Sequence, residues 1–83
     1  MNFVLTDHAI ARCGRRNIRT EWILEVLSNP EAVLEDSDDG FLEHRIAMIP
    51  EAGFRVLRVV CDATVEPIRV ITAYFDDGAE HLT

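Results

Sequence analysis

The chain has 83 residues, 48 % of them apolar, and a formal net charge of −7. That length allows one small core and leaves no chain for another, so a single domain over 1–83 is expected. The apolar content excludes the composition of a disordered segment, and the acidic balance excludes a protein that coats nucleic acid through a general positive field. No stretch approaches the about 20 apolar residues of a membrane span. The start, "MNFVLTDHAI", reaches Asp7 and His8 before a signal-peptide hydrophobic region can form. A cytoplasmic protein with no membrane association is expected.

Charge is unevenly placed. Residues 1–20 hold four Arg and one Asp (+3), and residues 21–83 hold four Arg and fourteen acids (−10). Every cation is an arginine, whose forked donors suit carboxylates and phosphates, although coding bias also replaces Lys by Arg. Cys13 and Cys61 are too few for a disulfide scaffold and read as small buried hydrophobes.

In chain order, "NFVL" (2–5) is a short apolar strand or lead-in segment. Thr6 is an N-cap with Asp7 in the first turn, which predicts a helix over 7–16 that packs Ala9, Ile10 and Cys13 inward and stops at Asn17. Thr20 is a second N-cap, and Trp22, Ile23, Val26 and Leu27 recur on one helical face until Pro30 disfavours helical geometry at Asn29. The period then becomes alternating: 32–35, 41–49, 54–61 and 67–75 read as strands separated by "DSDDG", "PEAG" and "DATVE". "EDSDDG" is a solvated hairpin turn, with too few spaced ligands for a calcium loop. The tail "DDGAEHLT" is expected to fray. The pattern predicts an α+β fold, two N-terminal helices on one face of an antiparallel meander of about four strands, with the other face open to solvent, a ligand or a partner.

Two groups of residues could carry chemistry. His8, Arg12 and Arg16 stand at i, i+4 and i+8 on one helical line, suited to holding an anion and exchanging a proton; the same charges also suit a helix that only complements its own dipole. On the strands, Leu57, Val59 and Cys61 are expected to face the core, as are Leu42, Ile46 and Met48 in the preceding strand. That parity sends Glu43, Arg45, Arg58 and Tyr74 to the open face. Acid, cations and phenol there could cleave RNA without a metal, or could form only a cross-strand ion-pair ladder. Trp22 and Tyr74 could stack on bases, although Trp22 reads more simply as a core anchor. His8, Cys13, His44, Cys61 and His81 show no recognised ligand spacing, and no glycine-rich phosphate loop is present, so neither metal nor cofactor is expected.

"HAIARCGRRNI" (8–18) resembles the H-A-x-x-R-M-x-x-R-x-I signature that opens an uncharacterised family of small bacterial domains. In that family, as here, the signature is followed by a second helix, an "NPEAVLED" segment and strands ending near "VITAYF". Cys13 stands where Met is common and Asn17 where Gly is common. At the level of element order the family resembles the RelE and BrnT toxins. That resemblance implies a toxin-type ribonuclease partnered by an antitoxin, with His8, Arg12 and Arg16 carried over from the motif and Arg45, Arg58 and Tyr74 by strand position. The acidic net charge departs from the strongly basic character of ribosome-dependent toxins. The expected function is therefore a metal-independent endoribonuclease in which His8, Arg58, Tyr74 and Glu43 act on the substrate and Arg12, Arg16 and Arg45 bind it. The alternative is a non-catalytic module that binds a protein partner or a second copy of itself, which an exposed apolar strip containing Val56 and Val60 would favour.

Overall fold

The change from helical to alternating period at residue 32 is also the change of layer in the computed structural model, which describes residues 1–76. Strand β1 (Phe3–Leu5) leads into helix α1 (Asp7–Arg15) and helix α2 (Thr20–Ser28). Strands β2 (Ala32–Glu35), β3 (Glu43–Ile49), β4 (Arg55–Asp62) and β5 (Ile68–Phe75) follow, with a 3-10 turn at Pro50–Ala52 between β3 and β4. The sheet has five strands in the order β1-β5-β4-β3-β2. It is therefore mixed and not the four-stranded antiparallel meander expected: β1 runs parallel to β5, Phe3 beside Ile68 and Leu5 beside Val70. Parallel partners cannot be joined by a tight turn, and here both helices and strands β2, β3 and β4 lie between them.

α1 begins as its N-cap predicts, with Thr6 Oγ1 accepting from the Ala9 amide at 3.1 Å. The same hydroxyl donates to the Ile71 carbonyl at 3.3 Å, tying the helix start to β5. At the other end Asn17 takes the left-handed conformation, φ 55°. The Asn17 amide bonds the Gly14 carbonyl and the Ile18 amide bonds the Cys13 carbonyl, which closes the helix in a Schellman arrangement and turns Ile18 into the core. Two details differ from expectation. Ile10 is exposed, because Ala9 and Cys13 alone face the sheet. Thr20 is the first residue of α2 and its cap position belongs to Arg19, which makes no side-chain cap bond.

Both helices cover one face of the sheet, and the core between the layers is made by Ala9, Cys13, Ile23, Val26 and Leu27 against Ala47, Ile49, Leu57, Val59, Cys61, Val70 and Ala73. Alternation puts Leu57, Val59 and Cys61 on that side as expected, and the intervening Val56, Arg58 and Val60 on the other. The tail 77–83, including His81, lies outside the described residues.

Asn17 is the position where an L side chain must hold positive φ at a helix end. Replacing it by glycine is expected to preserve or raise the melting temperature, while Asn17→Val is expected to lose about 1 kcal/mol in denaturant unfolding, since a β-branched side chain is strained in that region.

Candidate functional site

Register decides which charged side chains meet. Opposite residues of an antiparallel pair share a face, and β3 pairs with β4 as Glu43 with Cys61, Arg45 with Val59 and Ala47 with Leu57. Glu43 and Arg45 therefore lie on the helix-covered side, contrary to the expected parity. Arg45 confirms this by donating from Nη1 to the Leu27 carbonyl at the C-terminal end of α2, 2.9 Å, and from Nη2 to Glu43 at 2.8 Å. It supplies a donor that the end of a helix lacks. The other parity of β3, His44, Ile46 and Met48, turns to the open face, where Ile46 and Met48 were expected to be in the helix-side core. Met48 is exposed there, while Ile46 and Val60 are buried without joining the helix-side cluster. Val60 is buried and Val56 half-buried, so these two do not form the exposed strip that would favour an interaction module.

The open face instead carries a chain of polar contacts. His44 stands opposite Val60 and Arg58 opposite Ile46, so the two polar side chains meet on the diagonal above two apolar neighbours. His44 Nε2 lies 2.7 Å from Asp36 Oδ1, and His44 Nδ1 lies 2.9 Å from Arg58 Nη1. Arg58 Nε donates to Asp76 Oδ2 at 2.7 Å. A guanidinium has donors only, so Nδ1 must accept from Arg58, and the ring proton sits on Nε2, directed at Asp36. Tyr74 stands opposite Arg58 on the β5 side. Arg16 reaches the same place from α1: its Nη1 donates to the Ala73 carbonyl at 2.8 Å, and its guanidinium lies 5.9 Å from the Tyr74 ring centre. One row thus crosses the sheet, from Arg16 through Tyr74, Arg58 and His44 to Asp36.

Of the residues singled out by spacing, the structure brings together Arg58, Tyr74 and Arg16. His8 is exposed on the first turn of α1 and Arg12 is half-buried farther along it, both in the helix layer, and neither side chain forms a hydrogen bond or ion pair with a described residue. His44, Asp36 and Asp76 are the members that spacing did not select. His44 shares the parity of Arg58 through the β3–β4 hairpin, and Asp36 belongs to the "EDSDDG" turn.

That turn explains the position of Asp36. Its Oδ2 accepts from the Asp38 and Asp39 amides at 3.1 and 3.0 Å, which folds the turn around the carboxylate and leaves Oδ1 for His44. The His44 hydrogen bond first, and those two amides next, hold the Asp36 carboxyl below the usual carboxylate range. Burial acts in the opposite sense on the thiols: it raises Cys13 and pushes Cys61 up to about 11, with the Arg45 charge only partly opposing it. Among the described residues no group of three or more His, Cys, Asp or Glu side chains could hold a metal ion. No described helix is long and apolar enough to cross a membrane.

These features define a small α+β domain with two helices on one face of a mixed five-stranded sheet and a polar row on the other. The chain belongs to the family described as Domain of unknown function (DUF4258), whose model matches residues 5–75. No curated protein and no solved structure matches it.

Two outcomes follow from the shifted groups. A carboxyl held low in the fold contributes stability that is complete above its unfolded value, near 4, and disappears as pH falls through the folded value. Asp36→Asn is therefore expected to lower the melting temperature at neutral pH and to narrow the difference between melting temperatures at about pH 6 and about pH 3. Both thiols are expected to resist a disulfide reagent at about pH 8 in the native chain and to react together in denaturant, since only the thiolate attacks.

Proposed function

We propose that the domain is a metal-independent endoribonuclease of RelE/BrnT-like toxin type, partnered by an antitoxin, with its working groups on the open face of the sheet. The observation that supports this reading is the juxtaposition of His44, Arg58 and Tyr74 on an accessible surface, with Asp36 behind the imidazole. Cleavage of RNA without a metal needs a base for the 2′-hydroxyl, a cation for the charge that develops on phosphorus oxygens, and an acid for the departing 5′-oxygen. His44, Arg58 and Tyr74 have those three chemistries.

At rest Arg58 occupies the only lone pair of His44. An RNA phosphate that takes the guanidinium through its terminal nitrogens frees Nδ1 to accept the proton of the 2′-hydroxyl. The 2′-oxygen then bonds to phosphorus as the 5′-oxygen leaves with a proton from Tyr74, giving a 2′,3′-cyclic phosphate and a 5′-hydroxyl. Asp36 keeps the opposite ring proton in place and offsets the positive charge that the imidazole acquires. The role first expected of Glu43 passes to His44, because Glu43 lies across the sheet with Arg45.

A second reading, a non-catalytic interaction module, is favoured by the charge of the resting cluster. Arg58 counts +1 and Asp36 and Asp76 −1 each, so with His44 neutral these four sum to −1, and an incoming phosphate meets the repulsion of two carboxylates.

Induced expression in bacteria separates the two. The native chain is expected to arrest growth and fragment RNA. In the purified protein Arg58→Ala should lower cleavage of an oligoribonucleotide by roughly 100- to 1,000-fold and His44→Ala by roughly 100-fold or more. Harmless expression with intact RNA overturns the ribonuclease reading in favour of the module.

A further inference from the structure

An open groove of about 920 Å³ lies away from the polar row, between the first turns of α2 and the end of the β3–β4 hairpin. Trp22, Ile49 and Pro50 line it with Met48, and Glu21, Glu25 and Glu51 stand at its rim. The apolar part is anchored from behind: the Trp22 ring meets Phe75 edge-on at 6.2 Å between centres, and Ile49 is fully buried. A volume of this size holds several side chains and exceeds the needs of a single ion.

The rim is left electrostatically unbalanced. Glu21, Glu25 and Glu51 form no ion pair with a described residue, and Arg19 is the one cation lining the groove, so the lining sums to −2. Glu21 and Glu25 are also four apart on α2, a spacing at which like charges destabilise a helix. A positive group placed between them relieves that repulsion, and the net charge of −7 on the chain favours its approach.

We propose that this groove docks a cationic amphipathic segment of a protein partner, a peptide that lays apolar side chains against Trp22 and Pro50 and sets Arg or Lys beside Glu21, Glu25 and Glu51. The site is separate from the polar row and does not depend on catalysis there. Charge complementarity identifies the occupant: an acidic or neutral apolar peptide meets the same floor but not the rim. An apolar centre with a charged margin is the usual division of labour at such interfaces, the centre holding and the margin selecting.

Trp22 is the only tryptophan in the chain, so its fluorescence reports on the groove directly. The full chain is titrated with a synthetic twelve-residue amphipathic peptide of leucine and arginine, and with its counterpart carrying glutamate for arginine. A saturable change in Trp22 emission with the arginine peptide, weakening as salt is raised, supports the proposal. The glutamate peptide should give none. The triple variant Glu21→Gln, Glu25→Gln, Glu51→Gln should bind about tenfold more weakly, the scale of three exposed ion pairs. The emission of the variant without peptide checks that Trp22 keeps its setting. An unchanged emission, an equal response to both peptides, or full affinity in the triple variant overturns it. So does sedimentation showing that the free chain dimerises and that the peptide reaches Trp22 only after the dimer is dissociated, because the groove's occupant is then a second copy.

Discussion

The pairing of β3 with β4, Glu43 opposite Cys61 and Ile49 opposite Arg55, decides what chemistry the sheet can present. Side chains alternate with a period of two, so a shift of one residue would exchange His44 for Arg45 as the neighbour of Arg58 and send a guanidinium pair to the open face in place of an imidazole. The turn holds this register. Pro50 opens a single 3-10 turn, and Gly53 and Phe54 follow with φ of 73° and 62°, a reversal that a chain without glycine would make at greater cost. Phe54 takes a conformation unfavourable for a bulky side chain, and its ring is left in solvent. The strain is local, and the register it secures runs the length of two strands.

Above that register the polar row is ordered by complementarity of donors and acceptors. Arg58 can only donate, His44 in one tautomer donates on one side and accepts on the other, and Asp36 and Asp76 accept at the two ends. Each of these side chains is between one-sixth and one-quarter exposed. At that exposure water still competes, so the contacts contribute modestly to stability and chiefly fix orientation. Ile46 and Val60, buried beneath the diagonal, keep water from one side of it. This is the setting in which an imidazole and a guanidinium hold a defined relation yet can exchange partners when an anion arrives.

Local signals carried most of the elements. The N-cap at Thr6, the left-handed Asn17, the Pro30 stop and the Asx turn at Asp36 all act within a few residues, and the alternating runs bound β2 to β5 to within a residue or two. What they could not carry is contact between distant segments. "NFVL" reads as a short strand or lead-in segment, but nothing in it announces that Ile68–Val70 offers it a parallel edge. The parity of β3 was equally hidden, because both of its faces are apolar: Ile46 and Met48 on one, Ala47 and Ile49 on the other. The choice falls to the charged residues, since Arg45 reaches the end of α2 only from the helix side. His44 could have been found by carrying the parity of Arg58 through the hairpin.

Arg16 and Arg45, two of the three arginines expected to bind substrate, show why charge near a sheet is ambiguous. β1 ends at Leu5, so β5 beyond Val70 has no strand on its outer side, and the main chain there is met by side chains: Thr6 on the Ile71 carbonyl and Arg16 on the Ala73 carbonyl. On the far side β2 stops short of the end of β3, and the Glu31 carboxylate accepts from the Met48 amide at 2.6 Å. Arg45 does the same for the Leu27 carbonyl. A short sheet between long strands leaves such orphaned groups at its margins, and long charged side chains close them as a further strand would. Arg16 is in this way drawn to backbone and Arg45 to backbone and Glu43 on the helix side, whereas Arg58 is held on the open face by two side chains, His44 and Asp76. The partners of Arg58 are ionisable groups that a ligand can replace, which is why the proposed function is placed on the open face.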